Sequence, residues 1–255
     1  MINNLLLNAI SWARQAGAIQ LELFRSDNLD IHAKLNQSDI VTKADKMSEA
    51  FLLDRIHTHY PDHSILSEES GEEKHDGATY RWIIDPLDGT TNYSAGLPSF
   101  SVSIAIEKDG EILVGVVFAP YLGELFHAVK GGGSFLNGRP IHAGCKIDPA
   151  QAVISTGFPV DKDINPDNNL DRVSRILPQI RGLRRLGSAA VDLCYVAAGY
   201  LDAYWEINLH LWDVAAGKLI VEEAGGTVTR FRPDRNYCMA ASGKGLHRWL
   251  LENLR

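Results

Sequence analysis

The chain has 255 residues, 45% of them hydrophobic, and a formal net charge of -7. That is enough to bury a sizeable core, as one large domain or two intimate halves, and the acidic balance argues against a broad nucleic-acid footprint, which would be basic. No run nears the roughly 20 apolar residues that span a bilayer, and Leu5-Leu6-Leu7 lacks the length and basic flank of a signal peptide. Cys145, Cys194 and Cys238 are odd in number and widely spaced, which suits reduced thiols, so a soluble cytoplasmic protein without a membrane partner is expected.

From the N-terminus, apolar residues recur at helical spacing over 3–24, with Leu6, Ile10, Ala13 and Gly17 on one stripe. A polar loop carrying Lys34 and Asp39 follows. Thr42-Lys43-Ala44-Asp45 is a capping-box pattern, with Thr42 as N-cap and Asp45 reaching back. It starts a second helix bearing Met47, Phe51 and Ile56, stopped before Pro61. His57, His59 and His63 straddle the helix end and a turn without fixed ligand geometry, and they read as solvated or packing histidines. Ser64-Ile65-Leu66 is a short strand with Glu68 just past its end. Trp82-Ile83-Ile84 is a buried strand that Pro86 should end, because proline cannot donate to a ladder. Asp85 then stands at the strand's carboxyl end and Asp88 on the turn beyond. Residues 100–106 alternate serine with apolar side chains and turn at Lys108-Asp109-Gly110 into 112–118. Residues 125–129 and 134–136 continue the antiparallel pattern, and Asn137-Gly138 closes this half. Gly131-Gly132-Gly133 is no phosphate loop, since no GKS or GKT follows.

The pattern resets near Ile147-Asp148-Pro149, dividing the chain into an N-terminal α+β half (1–146) and a C-terminal half (147–255). Residues 153–156 read as a strand, 157–169 as a polar loop, and 170–180 as a helix that Pro178 truncates or kinks. A short strand at 184–186 leads into Gly187-Ser188-Ala189 and a helix through Val196. That turn either simply caps the helix or offers N–H donors to a ligand. Residues 201–206 read as a strand ending in Glu206, followed by a helix over 212–224 with Gly225 as its C-cap. Strands at 227–231 and 237–241 and a helix at 246–254 complete an α+β chain of mostly antiparallel strands.

The chemistry concentrates in Trp82-Ile83-Ile84-Asp85-Pro86-Leu87-Asp88-Gly89-Thr90-Thr91-Asn92. Two carboxylates three residues apart across a tight turn can converge on one hard cation, which takes oxygen ligands. Gly89-Thr90-Thr91 offers hydroxyls and backbone N–H groups to an anion. The same letters would serve an Asp-rich surface turn, and Asp213 near a helix start would serve as a dipole-stabilising acid. Their joint occurrence with Glu68 reverses those plainer readings. WIIDPLDGTTN, the downstream WDVAAGKLIVEEAGG and the acidic pair Glu68-Glu69 resemble the inositol monophosphatase family of magnesium-dependent sugar phosphatases. The resemblance covers nearly the whole chain, from Asp39-Ile40-Val41-Thr42 to the last helix.

That resemblance implies the layered αβαβα sugar-phosphatase fold with the active site between the halves. It implies two or three Mg2+ ions in the site, of which paired ions can activate water and stabilise a departing alkoxide. Glu68, Asp85 and the Leu87 carbonyl match the ligands of a tighter ion; Asp85, Asp88 and Asp213 match those of a second. Asp39 and Thr90 match the pair that orients the attacking water, with Glu68 assisting its deprotonation, so no phospho-enzyme is expected. The N–H groups of Gly89 and Thr90 would hold phosphate oxygens. Gly187, Ser188, Ala189 and Glu206, with Asp88 and Asp213, match the residues that hold sugar or inositol hydroxyls. Lys34 matches loosely and receives no role. The implied substrate is a small phosphorylated polyol, myo-inositol 1-phosphate first, with histidinol phosphate or fructose 1,6-bisphosphate as alternatives. A homodimer and inhibition by lithium at the weaker ion position are also implied. Arg181, Arg184 and Arg185 read as a solvated strand edge or a second-phosphate contact. The rival of another class is a regulatory protein that binds the transcription machinery, as some bacterial relatives do.

Overall fold

The computed structural model describes residues 2–34 and 39–255. Helix α1 (Ile2–Leu23) buries Leu5, Ala9, Trp12, Ala16 and Gln20. Of the expected stripe, Ala13 and Gly17 are buried, whereas Leu6 and Ile10 are only half-buried. Trp12 lies 5.3 Å from the buried Trp82, and seating that large aromatic pair sets the helix rotation. A short ladder of β1 (His32–Ala33) and β2 (Ile40–Val41) leads into α2 (Lys43–His59). The capping box closes there, with the Thr42 N–H donating to Asp45 Oδ2 at 2.8 Å. Met47 falls outside the buried face of this helix.

Strand β3 (Ser64–Ser67) pairs antiparallel with β4 (Gly71–Glu73) and parallel with β5 (Tyr80–Asp88). Contrary to the sequence expectation, β5 runs through Pro86. Asp85 lies opposite Ser103 and Asp88 opposite Ser101, so three steps on one strand match two on the other. The proline occupies that bulge, where no ladder N–H is needed. Gly89, at φ 91°, turns the chain into α3 (Thr90–Ser94). Strands β6 (Ser101–Lys108) and β7 (Glu111–Ala119) are joined by Asp109-Gly110, both at positive φ as a tight hairpin requires. The meander continues through β8 (Glu124–Val129), β9 (Ser134–Leu136) and β10 (Arg139–Pro140). These form an eight-stranded sheet in the order β10-β9-β8-β7-β6-β5-β3-β4.

The second sheet uses β11 (Val153–Thr156), β12 (Gly182–Arg184), β13 (Ala203–Leu209), β14 (Thr227–Arg232) and β15 (Tyr237–Ser242), in the order β12-β11-β13-β15-β14. Its helices are α4 (Leu170–Ile176), α5 (Ala189–Ala197), α6 (Leu211–Glu223) and α7 (Lys244–Leu254). At Pro178 the α4 helix gives way to a 3-10 turn. Strand β12 ends two residues before the expected one, and β13 runs past Glu206 through a register shift to Leu209. Glu206 is thus inside a strand, not at its end.

Strand alternation distributes the side chains between layers. Trp82, Ile84, Val102 and Ile104 pack under α1 and α2, whereas Ile83, Ala105 and Val117 face α5 and α6. Tyr204 and Met239 meet α5 and α6 from the second sheet; Trp205 and Ala240 turn the other way, toward α4 and α7. Because α5 and α6 lie between two sheets, they are apolar almost all round. Gly115 permits the closest approach, since a Cβ there would sit 2.7 Å from the Ala216 carbonyl oxygen of α6. The result is an αβαβα layered α+β fold. All three cysteines are free, with Cys194 and Cys238 buried. Among the described residues no helix is long and apolar enough to cross a membrane.

Candidate active site

The bulge in β5 aims Asp85 and Asp88 into the junction of the two sheets. Asp85 is buried, and its Oδ1 accepts the Leu87 N–H at 3.0 Å. Asp88 crosses to the start of α5, where Oδ2 accepts the Ala190 N–H at 2.9 Å and the Ser188 hydroxyl. Its Oδ1 accepts the Ala189 N–H at 3.3 Å. Of the two readings the sequence left open, the Gly187-Ser188-Ala189 turn fulfils the cap: Ser188 caps α5, and the donors of the turn are taken by the Asp88 carboxylate. Asn92 fastens the same seam, donating to the Ser99 and Leu186 carbonyls, both at 2.7 Å.

Thr90 Oγ1 donates to Asp45 Oδ1 at 2.9 Å and lies 3.1 Å from the Leu87 carbonyl oxygen. The carboxylate paired with Thr90 is thus Asp45 and not Asp39. The capping box turns Asp45 inward at the first turn of α2 and occupies its Oδ2 with Thr42, leaving Oδ1 for Thr90. Asp39 is half-buried in the cleft wall near Lys34. Asp45 was visible in the sequence only as a helix cap, because nothing local shows what its second oxygen faces.

Glu68 follows β3, its N–H donating to the Ile84 carbonyl at 3.3 Å. Lys34 bridges it to its neighbour, with Nζ 3.0 Å from Glu68 Oε1 and 2.5 Å from Glu69 Oε1. Lys34 is the only lysine or arginine lining this cleft of about 450 Å³ among the described residues. The opposite wall carries Glu206, His210, Trp212, Asp213 and the apolar run Phe158-Pro159-Val160. Asp213 Oδ2 accepts the His210 N–H at 2.7 Å, so it caps α6 while facing the cleft. The Tyr204 hydroxyl donates to Glu206 Oε2 at 2.7 Å. A Cβ on Gly157 would fall 2.0 Å from that same oxygen, so only glycine leaves room for the carboxylate. All three arginines are exposed, and the Arg185 guanidinium also packs over Gly187 near Glu206 and Asp192.

The electrostatics follow from burial and crowding of like charge. Burial, with Glu68, Asp88 and Asp213 adding repulsion, holds Asp85 well above the ordinary carboxylate range. Burial and then Glu68 do the same to Asp213. Burial pushes Asp88 up to about 6 against the hydrogen bonds from Ser188 and Ala190. It pushes Asp45 up to about 6 against Thr42 and Thr90, and Glu206 up to about 7 against Tyr204 and Arg185.

Among the described residues, no three His, Cys, Asp or Glu side chains already form an ion cage. The donor set nevertheless fits hard divalent cations. It is oxygen-only, and Glu68, Asp85, Asp88 and Asp213 repel one another with little positive charge nearby to balance them.

Two sheets separated by a helix pair, with buried carboxylates at their junction, define a layered α+β protein with an acidic cleft lined by residues of both sheet regions. Residues 2–254 match the inositol monophosphatase family, and the chain belongs to that family. It is 44% identical over 237 residues, 92% of this chain and 88% of the relative, to the Nus factor SuhB of Pasteurella multocida. It is 41% identical over 219 residues, 86% of this chain and 79% of the relative, to an inositol-1-monophosphatase of Rhizobium meliloti. Among solved structures, the extragenic suppressor protein suhB of Bartonella henselae superposes with a TM-score of 0.92 at 34% identity, covering 99% of this chain and 98% of that one.

Proposed function

We propose that the protein is a magnesium-dependent phosphomonoesterase of small phosphorylated polyols, with myo-inositol 1-phosphate as the leading substrate. The observation that carries this reading is the Thr90 hydroxyl, set between Asp45 Oδ1 and the Leu87 carbonyl beside the buried carboxylates. Family membership supports hydrolysis, and a relative bears the inositol-1-monophosphatase name. Glu68, Asp85, the Leu87 carbonyl, Asp88 and Asp213 would hold the magnesium ions. When bound, magnesium supplies positive charge against the phosphate dianion and Lewis acidity toward water.

The chain's own groups do the rest. Thr90 accepts a proton from the attacking water as it passes its own to Asp45, which is ionised above about pH 6. The water oxygen bonds to phosphorus, the ester P–O bond breaks, and the leaving alkoxide takes a proton from solvent water, the hydroxide so formed being neutralised by the proton that Asp45 received. The N–H groups of Gly89 and Thr90 orient phosphate oxygens. Glu206 accepts from substrate hydroxyls, while the Gly187-Ser188-Ala189 turn acts behind it by seating the Asp88 carboxylate. Lys34 holds Glu68 in place and offsets part of its charge. A homodimer and lithium sensitivity belong to the same reading.

Phosphate release from inositol 1-phosphate, histidinol phosphate and fructose 1,6-bisphosphate, with magnesium and with EDTA, tests it. Magnesium-dependent release favouring inositol 1-phosphate is expected. A folded protein that releases phosphate from none of them would sink the proposal.

A second reading is favoured by the relative named Nus factor SuhB: binding to the transcription machinery. Asp85→Asn separates the two, because a binding role should survive it and turnover should not.

A further inference from the structure

The cleft has one wall that a fully hydroxylated ring does not need. Phe158, Pro159 and Val160 line it together with Leu209 and Trp212. Trp212 is itself backed by the His210 ring, stacked at 4.6 Å and 5°. This wall stands before any ligand arrives. Buried Asn169, at φ 78°, donates to the Gly157 carbonyl at 2.7 Å and to Thr156 Oγ1 at 2.9 Å, and accepts from Trp205 Nε1 at 2.8 Å. Those bonds tie together both ends of the 157–169 segment. Its middle is clamped by Arg235, whose Nη2 lies 2.9 and 2.8 Å from the two Asp161 carboxylate oxygens and whose Nη1 donates to the Asp167 carbonyl at 2.7 Å. Arg172 and Arg232 take the Asp167 carboxylate at 2.8 and 2.7 Å. Charge-assisted bonds from three arginines hold the segment at two of its acids, so little ordering remains to be done when a ligand meets the wall.

Directly beside it, the Glu206 carboxylate lies against the Cα of Gly157. A hydroxyl acceptor and a rigid apolar wall thus adjoin in one cleft. We infer that the cleft also takes phosphate monoesters of alcohols that carry a flat apolar group, which seats against Phe158 and Trp212 beside the hydroxyl acceptor. The inference rests on the phosphatase reading and extends its substrate class. Phe158 is then a specificity-determining residue and Arg235 a positioning residue that acts through the loop.

Ethyl phosphate and 2-phenylethyl phosphate test it, because their leaving alcohols have similar acidity and differ in apolar reach. With magnesium, kcat/KM should favour the phenylethyl ester by about tenfold in the wild type, the scale of burying one ring. Phe158→Ala should bring the ratio to within about twofold of unity. Arg235→Ala should lower the ratio too and raise amide hydrogen exchange across 157–169, which a purely remote stability effect would not confine there. A wild-type ratio near one, or a ratio untouched by Phe158→Ala, overturns the inference. If neither ester releases phosphate, release from inositol 1-phosphate still decides the phosphatase reading, and calorimetric binding of the two esters decides the inference. Tighter binding of the phenylethyl ester, lost in Phe158→Ala, upholds it; equal affinities overturn it.

Discussion

On the side of the eight-stranded sheet, the candidate site takes Asp85, Leu87, Asp88 and Thr90 from one short stretch, joined by the capping residue Asp45. On the side of the five-stranded sheet, Phe158, Glu206 and Asp213 arrive from a loop, a strand interior and a helix start. The first side is local chemistry, set by a bulge and two helix beginnings. The second is assembled at long range, and its shape depends on what holds each segment. Damage to the first should abolish turnover; damage to the second should redirect it.

The largest expected effect is on the first side. Asp85→Asn should lower kcat by about 10³-fold or more, the scale of losing a central charge-stabilising group. In EDTA at pH 8 its melting temperature should rise, since a buried, repelled carboxylate is gone. Near-normal turnover would dismiss the site. Next, Asp45→Asn should cost about 10²-fold in kcat with KM little changed, as for a positioned proton acceptor. Asp39→Asn should stay within about threefold of wild type, as a substitution away from the Thr90 hydroxyl. The reverse ranking would restore Asp39 to the water-orienting role.

On the second side, Gly157→Ala forces the Glu206 carboxylate to move. KM for inositol 1-phosphate should rise about tenfold, with kcat changing less, the mark of lost ground-state binding. An unchanged KM would mean that Glu206 does not touch the polyol. The smallest effect is one of linkage. Glu206 has its pKa raised from an ordinary 4.5 to about 7 in the folded protein. Between those values the folded state binds the extra proton, so this group's contribution to stability falls as pH rises and is level above about 7. Thermal melts in EDTA should therefore show Glu206→Gln gaining on wild type from pH 4.5 to 7. His210 and His247, whose lowered pKa values give an effect of opposite sign, cancel in that difference. A gap that shrinks with pH would refute the assignment.

Much of this molecule is decided within a few residues and is legible in them. Thr42 and Asp45 cap α2, Asp109-Gly110 turns a hairpin, and alternation along β6 and β7 assigns each face, because hydrogen bonds and side-chain periodicity act locally. The two signature stretches likewise identified the family and the layered fold. What needed tertiary structure was every question about what a side chain faces. Pro86 lies in a bulge because Ser101 and Ser103 across the ladder fix the register. Glu206 lies mid-strand because β13 continues along β15. Asp45, and not Asp39, meets Thr90 because packing of α2 beside β5 leaves one carboxylate oxygen pointing there. A local pattern specifies which groups a segment carries; only the folded chain determines which of their atoms remain free, and what they meet.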